Sequence, residues 1–333
     1  MSRLSDTDIA ALLDHLGVRQ PHRDVLLSWG STDSVQARLD ALTSLQRRFL
    51  VAVPFDDLDL HYSATRTVSL DVQHSLRKCL EKRRGGYCMQ NNALFRAALL
   101  GLGVDVYSTG ARVNAVFEPG NQNLAEDQWL YHGFDHMVNL VRLGDGKVYL
   151  VDVGIGTSST TAPTPLATAA SGPTTMLNIA PAAHLRLRLG TTSQHADPAR
   201  AKPIQLLDSS LHAVGEEHHA KWRPVFCFDA DTEFLEPDFE MMSFFTSTHP
   251  TPWFRRDPVC SRLILDGDEA PIGHATLFKD RWSVRHGADI KEQGQVQTEE
   301  ERCRVLKDKL GIVLTGEEKV AIRQYPSALR HDE

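Results

Sequence analysis

Three residues in this chain have the types and the surroundings to do chemistry together: Cys88, His136 and Asp152. Cys88 follows Gly85-Gly86-Tyr87 and opens an apolar helical pattern. A thiol attacks a carbonyl carbon as its thiolate, and a helix start supplies a positive dipole end that favours that form. Arg83 and Arg84 are close in sequence, and a histidine from elsewhere would complete an ion pair. His136 begins the apolar run Met137-Val138-Asn139-Leu140-Val141. A histidine at a strand start can lie at a sheet rim, facing a helix end. Asp152 lies one strand later, in Tyr149-Leu150-Val151-Asp152-Val153-Gly154, where a carboxylate is costly unless paired. Neighbouring antiparallel strands would bring His136 and Asp152 together, and the aspartate would then hold the imidazole tautomer and steady its charge. The plainer alternatives are a buried structural cysteine and a half-exposed strand histidine.

Other candidates are weaker. Cys79, Cys227, Cys260 and Cys303 sit in or beside apolar patterns and read as structural. His132 and His136 are four apart, as in a helical metal pair, but Gly133 and the strand pattern argue against a helix, so no metal site is expected. Glu216-Glu217-His218-His219 lies in a polar stretch and reads as a solvated loop. No glycine-rich phosphate loop of the nicotinamide or nucleoside-triphosphate kind occurs.

Helices and strands must position these groups. Ser5 caps a helix that buries Ile9, Leu12, Leu13 and Leu16 and stops at Gly17. A second runs from about Ser34, with Val35, Leu39, Leu42, Leu45 and Phe49 at helical spacing. A third starts near Leu70, turns Val72, Leu76 and Leu80 inward, and ends in Lys82-Arg83-Arg84. The fourth runs from Cys88 to about Leu102. Residues 104–113, 137–143 and 148–153 then alternate as strands, the last two joined across Asp145-Gly146. The Ser, Thr, Ala and Pro content of 157–183 indicates a surface loop. Further strands are expected at 184–189, 222–228, 261–265 and 274–284. A capping box at Thr298 opens a last helix that ends before Gly311, and the tail from 315 to 333 gives no clear signal.

Composition limits the partners. The net charge is −7, which argues against a broad nucleic-acid surface. The N-terminal residues lack the apolar core of a signal peptide, and no stretch of about 18 apolar residues would span a membrane. Five cysteines without a Cys-x-x-Cys pair fit a reducing, cytoplasmic setting.

The motifs together resemble one family, the arylamine N-acetyltransferases. Arg84-Gly85-Gly86-Tyr87-Cys88 looks like its nucleophile motif, Asp135 through Val141 its histidine strand, and Val151-Asp152-Val153-Gly154-Ile155-Gly156 its aspartate motif. Val53 through His61, Thr246-Ser247-Thr248-His249-Pro250 and Thr298 through Arg302 are similar to further landmarks, in order, over about residues 30 to 312. Asp56 and Asp57 depart from the family's commoner Glu-Asn, Pro252-Trp253 replaces a small, hydroxyl-rich stretch, and the segment around Gly120 is longer.

The resemblance implies an α+β, cysteine-proteinase-like fold: a helical bundle over 1–103, a β-barrel-like part over 104–220, and an α/β lid over 221–333. It implies a Cys88–His136–Asp152 triad. The co-substrate would be acetyl-CoA or malonyl-CoA, and the acceptor an arylamine, hydrazine or arylhydroxylamine. Gly133, Phe245 and Thr251 fall where the family contacts CoA, Ile155 and Thr157 where it lines the acceptor pocket, and Arg84 would be a structural ion-pair partner. No prosthetic group, nucleic acid or membrane is implied, and a monomer is favoured. Papain-like proteases and transglutaminases share the same three groups, so a thiol hydrolase is the competing reading.

Overall fold

The computed structural model of the chain describes residues 2–250 and 252–330. Five helices come first: α1 (Asp6–Leu16), α2 (His22–Leu27), α3 (Val35–Ala52), α4 (Val72–Lys82) and α5 (Cys88–Gly101). Side chains of Ser5, Ser34 and Asp71 accept the free N–H groups at the starts of α1, α3 and α4. Gly17 ends α1 in the left-handed conformation. The short α2, not foreseen from periodicity, buries only Leu26. The apolar faces of α1, α3 and α5 share one core, where Phe49 and Phe95 pack edge to face at 5.0 Å.

After β1 (Phe55–Asp56), the strands of the middle part are β2 (Asp105–Val113), β3 (His136–Arg142), β4 (Val148–Val151), β5 (Thr164–Pro165), β6 (Thr174–Ile179), β7 (Ala183–Gly190), β8 (Ile204–Leu211) and β9 (Arg223–Phe228). They form one antiparallel sheet in the order β5-β4-β3-β2-β9-β8-β7-β6. Side chains draw its two edges together into a barrel-like form: Asn178 in β6 accepts the Thr161 N–H and donates to the Ser159 carbonyl. β3 and β4 are apolar on both faces for a reason. Val141 and Val151 join the helical core, while Val138, Leu140 and Leu150 fill the interior between strands.

The third part holds α6 (Glu236–Thr248), β10 (Val259–Leu265), β11 (Pro271–Phe278), β12 (Arg281–His286), β13 (Asp289–Gln295), α7 (Glu299–Leu310) and α8 (Gly316–Ala321). Its sheet runs β1-β10-β11-β12-β13, with Leu306 and Leu310 of α7 packed against it. The fold is therefore α+β, with helical, barrel-like and α/β portions. The large sheet takes β9 from beyond residue 220, and the smaller one takes β1 from the helical segment.

Several expectations need correction. Residues 157–183 are not a surface loop: they supply β5 and β6, and Thr160, Thr161, Thr164, Ala167 and Asn178 are buried. The single strand expected at 274–284 is two, β11 and β12, folded at Lys279, whose φ is 59°. The tail from 315 is structured as far as residue 330, with Ile322 buried against the small sheet's core.

Candidate active site

α5 starts at Cys88 because the chain before it is forced into a close approach. A Cβ on Gly85 would lie 1.9 Å from the Pro54 carbonyl oxygen, and one on Gly86 2.2 Å from Gln90 Oε1. Neither glycine has a positive φ. Lack of a side chain, rather than a special turn, is what this position requires. Arg84, just before them, is 2% exposed and donates to Asp56 at 3.0 Å, Asp59 at 2.8 Å and Glu318 at 3.0 Å. Burial opposes its charge, but those carboxylates outweigh burial and raise its pKa. Arg84 braces the segment from the far side and is not a partner of the thiol.

Cys88 is buried, with Sγ 3.5 Å from the Asp135 carbonyl oxygen. The β3–β4 register pairs Asn139 with Val151. Continued past β4, it sets Asp152 across from Val138 and on the face of His136. There His136 Nε2 and Asp152 Oδ2 stand 2.8 Å apart, both fully buried. The other ring nitrogen, Nδ1, is buried and, among the described residues, makes no hydrogen bond of regular geometry. Burial alone would push the imidazole toward neutrality. The charge and hydrogen bond of Asp152, with a contribution from Cys88, outweigh it and push its pKa up to about 10. An imidazolium beside a sulfur suits nucleophilic attack. Elsewhere burial dominates: it pushes the Cys79 and Cys227 thiols up to about 12 and raises those of Cys260 and Cys303.

Asp152 is held by residues that sequence reasoning missed. Its Oδ1 accepts from Asn92 Nδ2 at 2.8 Å and from the Gly154 N–H at 2.8 Å. Asn92 also donates to the Met137 carbonyl at 2.7 Å, and its Oδ1 accepts the Val153 N–H at 3.1 Å. Behind it, Asn139 donates to the Asn92 carbonyl at 3.0 Å. The Asp152 N–H reaches Thr160 Oγ1 at 3.3 Å, and Gln46 donates to that hydroxyl at 2.7 Å. One signal was available: Asn92 stands four residues after Cys88 and so shares its helix face.

These groups open onto a cavity of about 740 Å³ whose wall includes Cys88 and His136. Gly133, Ile155, Thr157 and Phe245 also line it. Thr251 lies outside the described residues. Trp253 and Phe254, stacked at 4.1 Å, form part of the wall, so the substituted Pro252-Trp253 stretch shapes this space.

The family model described as N-acetyltransferase matches residues 38–320. The chain is 37% identical over 289 residues to the N-malonyltransferase FDB2 of Gibberella moniliformis, covering 86% of this chain and 81% of that protein. It is 29% identical over 279 residues to the pineal gland arylamine N-acetyltransferase NAT-3 of Gallus gallus, covering 83% and 88%. The chain belongs to the arylamine N-acetyltransferase family. It is thereby an acyl-CoA-dependent N-acyltransferase. In fold it resembles the arylamine N-acetyltransferases of Mycobacterium abscessus (TM-score 0.71, 21% identity, covering 94% and 93%) and Salmonella typhimurium (TM-score 0.71, 23% identity, covering 96% and 98%).

Asp56 and Asp57, where the resemblance leads one to expect Glu-Asn, have a structural role here. Asp56 Oδ1 accepts the Leu58 N–H at 3.1 Å as well as Arg84, and Asp57 Oδ1 accepts the Val259 N–H at 2.8 Å. The two aspartates thereby fasten the segment around β1 to the approach to Cys88 and to the small sheet.

Proposed function

We propose that the chain moves an acyl group from acyl-CoA to an arylamine, hydrazine or arylhydroxylamine through a thioester on Cys88. The Cys88 thiolate attacks the thioester carbonyl, the new S–C bond forms, and the bond to the CoA sulfur breaks. His136 gives its proton to the leaving sulfur. In the second half the amine nitrogen attacks the Cys88 thioester, the Cys88 S–C bond breaks, and His136 takes the nitrogen's proton. Asp152 keeps the ring oriented through both halves. The backbone N–H of Cys88, at the positive end of α5, serves the tetrahedral oxyanion. A thioester exchange is nearly isoenergetic, so the site works mainly by positioning.

The observation that supports this most is a buried thiol opening a helix beside a carboxylate-paired imidazole, on the wall of one cavity, in a chain of this family. In this scheme Gly133 and Phe245, with Thr251, serve CoA, while Ile155 and Thr157 serve the acceptor. The relatives named for N-malonyl and arylamine N-acetyl transfer make malonyl-CoA and acetyl-CoA the two donors to try.

The test is intact mass after incubation with either donor. An acyl adduct that disappears in Cys88→Ser and is discharged by an aromatic amine is the expected result. Peptide cleavage without an adduct would favour a thiol hydrolase and overturn the proposal.

A further inference from the structure

Charge on the cavity wall is uneven. Glu118 and Asp135 bring carboxylates to it, and its described lining residues include no lysine or arginine. His132 and His136 are the side chains there able to carry positive charge. His136 is committed to Asp152, whereas the acyl transfer above leaves His132 unused. His132 Nδ1 lies 3.0 Å from Asp135 Oδ2, and Asp135 Oδ1 accepts the Val113 N–H at 2.9 Å. Arg112 pins the backbone by donating to the His132 carbonyl at 3.0 Å. The ring is therefore fixed, with Nε2 as its open donor: Glu118 Oε1 comes only to 3.9 Å, beyond hydrogen-bonding distance. Asp135 also supplies the carbonyl that touches Cys88 Sγ at 3.5 Å. One residue thus ties the position of His132 to the sulfur.

An imidazolium held by a carboxylate on one nitrogen and open on the other is a receptor for a second carboxylate. We propose that His132 determines specificity for the acyl donor: its Nε2–H binds the free carboxylate of a dicarboxylic acyl-CoA such as malonyl-CoA, in place of Glu118, while the thioester carbonyl faces Cys88. This rests on Cys88 forming the acyl-enzyme proposed above. The electrostatics agree. The hydrogen bond to Asp135 outweighs burial and raises the His132 pKa, while burial raises that of Glu118 and moves it toward the neutral acid. An acetyl group carries no charge for His132 to meet, so the contact acts on the choice between donors.

The experiment measures kcat/KM for malonyl-CoA and for acetyl-CoA with one aromatic amine, on the full chain, and follows their ratio. His132→Gln should lower the malonyl-to-acetyl ratio about ten- to a hundredfold, the worth of one charge-assisted hydrogen bond. His132→Lys, which keeps a cation, should retain more of the ratio than His132→Gln. Glu118→Gln removes the competing carboxylate and should raise it. An unchanged ratio in His132→Gln, or a lowered one in Glu118→Gln, overturns the assignment. So does a wild-type protein that loads acetyl but never malonyl on Cys88. If neither donor leaves an adduct, the acyl-enzyme itself fails, and this specificity role fails with it.

Discussion

Gly154→Ala tests how tightly the segment after β4 is wedged against Cys88. Gly154 does not have a positive φ, so its backbone accepts alanine, and chain entropy alone would favour the change by about 0.4–1 kcal/mol. Contacts argue the other way. The added Cβ would stand 2.4 Å from Asn92 Nδ2, 2.7 Å from the Cys88 carbonyl oxygen and 2.9 Å from Cys88 Cα. Ordinary contact lies at roughly 3.5–4.0 Å, so something must move by about 1 Å. Two of the three atoms are backbone of Cys88, and the third is the amide that holds Asp152. Overpacking of this kind costs about 1–3 kcal/mol, more than the entropy gain. The kinetic effect should be larger, because a displacement of about 1 Å at a reacting group can cost on the order of a hundredfold. Urea unfolding would measure the first effect, and the rate of Cys88 acylation by intact mass the second. A Gly154→Ala protein that keeps both wild-type stability and wild-type acylation rate would refute the wedge.

Asn92→Ala should lower unfolding free energy by about 1–3 kcal/mol for each buried group left unpaired, the Val153 N–H first, and slow acylation as Asp152 loses a donor; unchanged values in both assays would contradict its role. His136 offers a test by pH. Its pKa in the folded protein, about 10, exceeds the ordinary 6.5, so the stability from its pairing is complete below about pH 6.5 and is lost as pH rises toward 10. The stability gap between wild type and His136→Gln should therefore narrow from pH 7 to 10, and ¹⁵N NMR should show a doubly protonated ring at pH 7; a ring titrating near 6.5 would contradict this. His136→Ala should also slow alkylation of Cys88 by iodoacetamide at neutral pH, and an unchanged rate would remove the ion pair. Glu318→Gln takes one of three carboxylates from buried Arg84 and should cost about 1–3 kcal/mol in urea unfolding. No loss would show that Asp56 and Asp59 suffice.

The parts legible in the sequence are those with local causes. Ser5, Ser34, Thr298, Gly17 and Gly311 mark helix ends through bonds made within one turn, and the structure uses each of them. Cys88, His136 and Asp152 stand out as candidates because the first two open apolar runs and the third interrupts one. Elements with distant causes were missed. β8 carries Asp208, which looks wrong for a buried strand until Arg186 and Arg188 of β7 are seen to bond it at 2.7 Å. β13 is almost wholly exposed and shows no apolar alternation. α6 turns Met241 and Phe244 outward, 73% and 71% exposed, which blurs its amphipathic pattern. The hydroxyl-rich 157–183 segment reads as solvated because partners such as Gln46 and Arg47 lie far away in sequence.

The bond from Glu318 to Arg84 spans 234 residues and has a consequence for how the protein comes into being. On the ribosome, the thiol's segment is synthesised long before α8. Until α8 follows, the buried guanidinium lacks its third carboxylate, and the small sheet that Asp57 clasps through Val259 has not been made. The setting of Cys88 is thus completed only when a stretch 234 residues beyond Arg84 has emerged, and a polypeptide that has not yet reached it carries the cysteine without the bracing that fixes it.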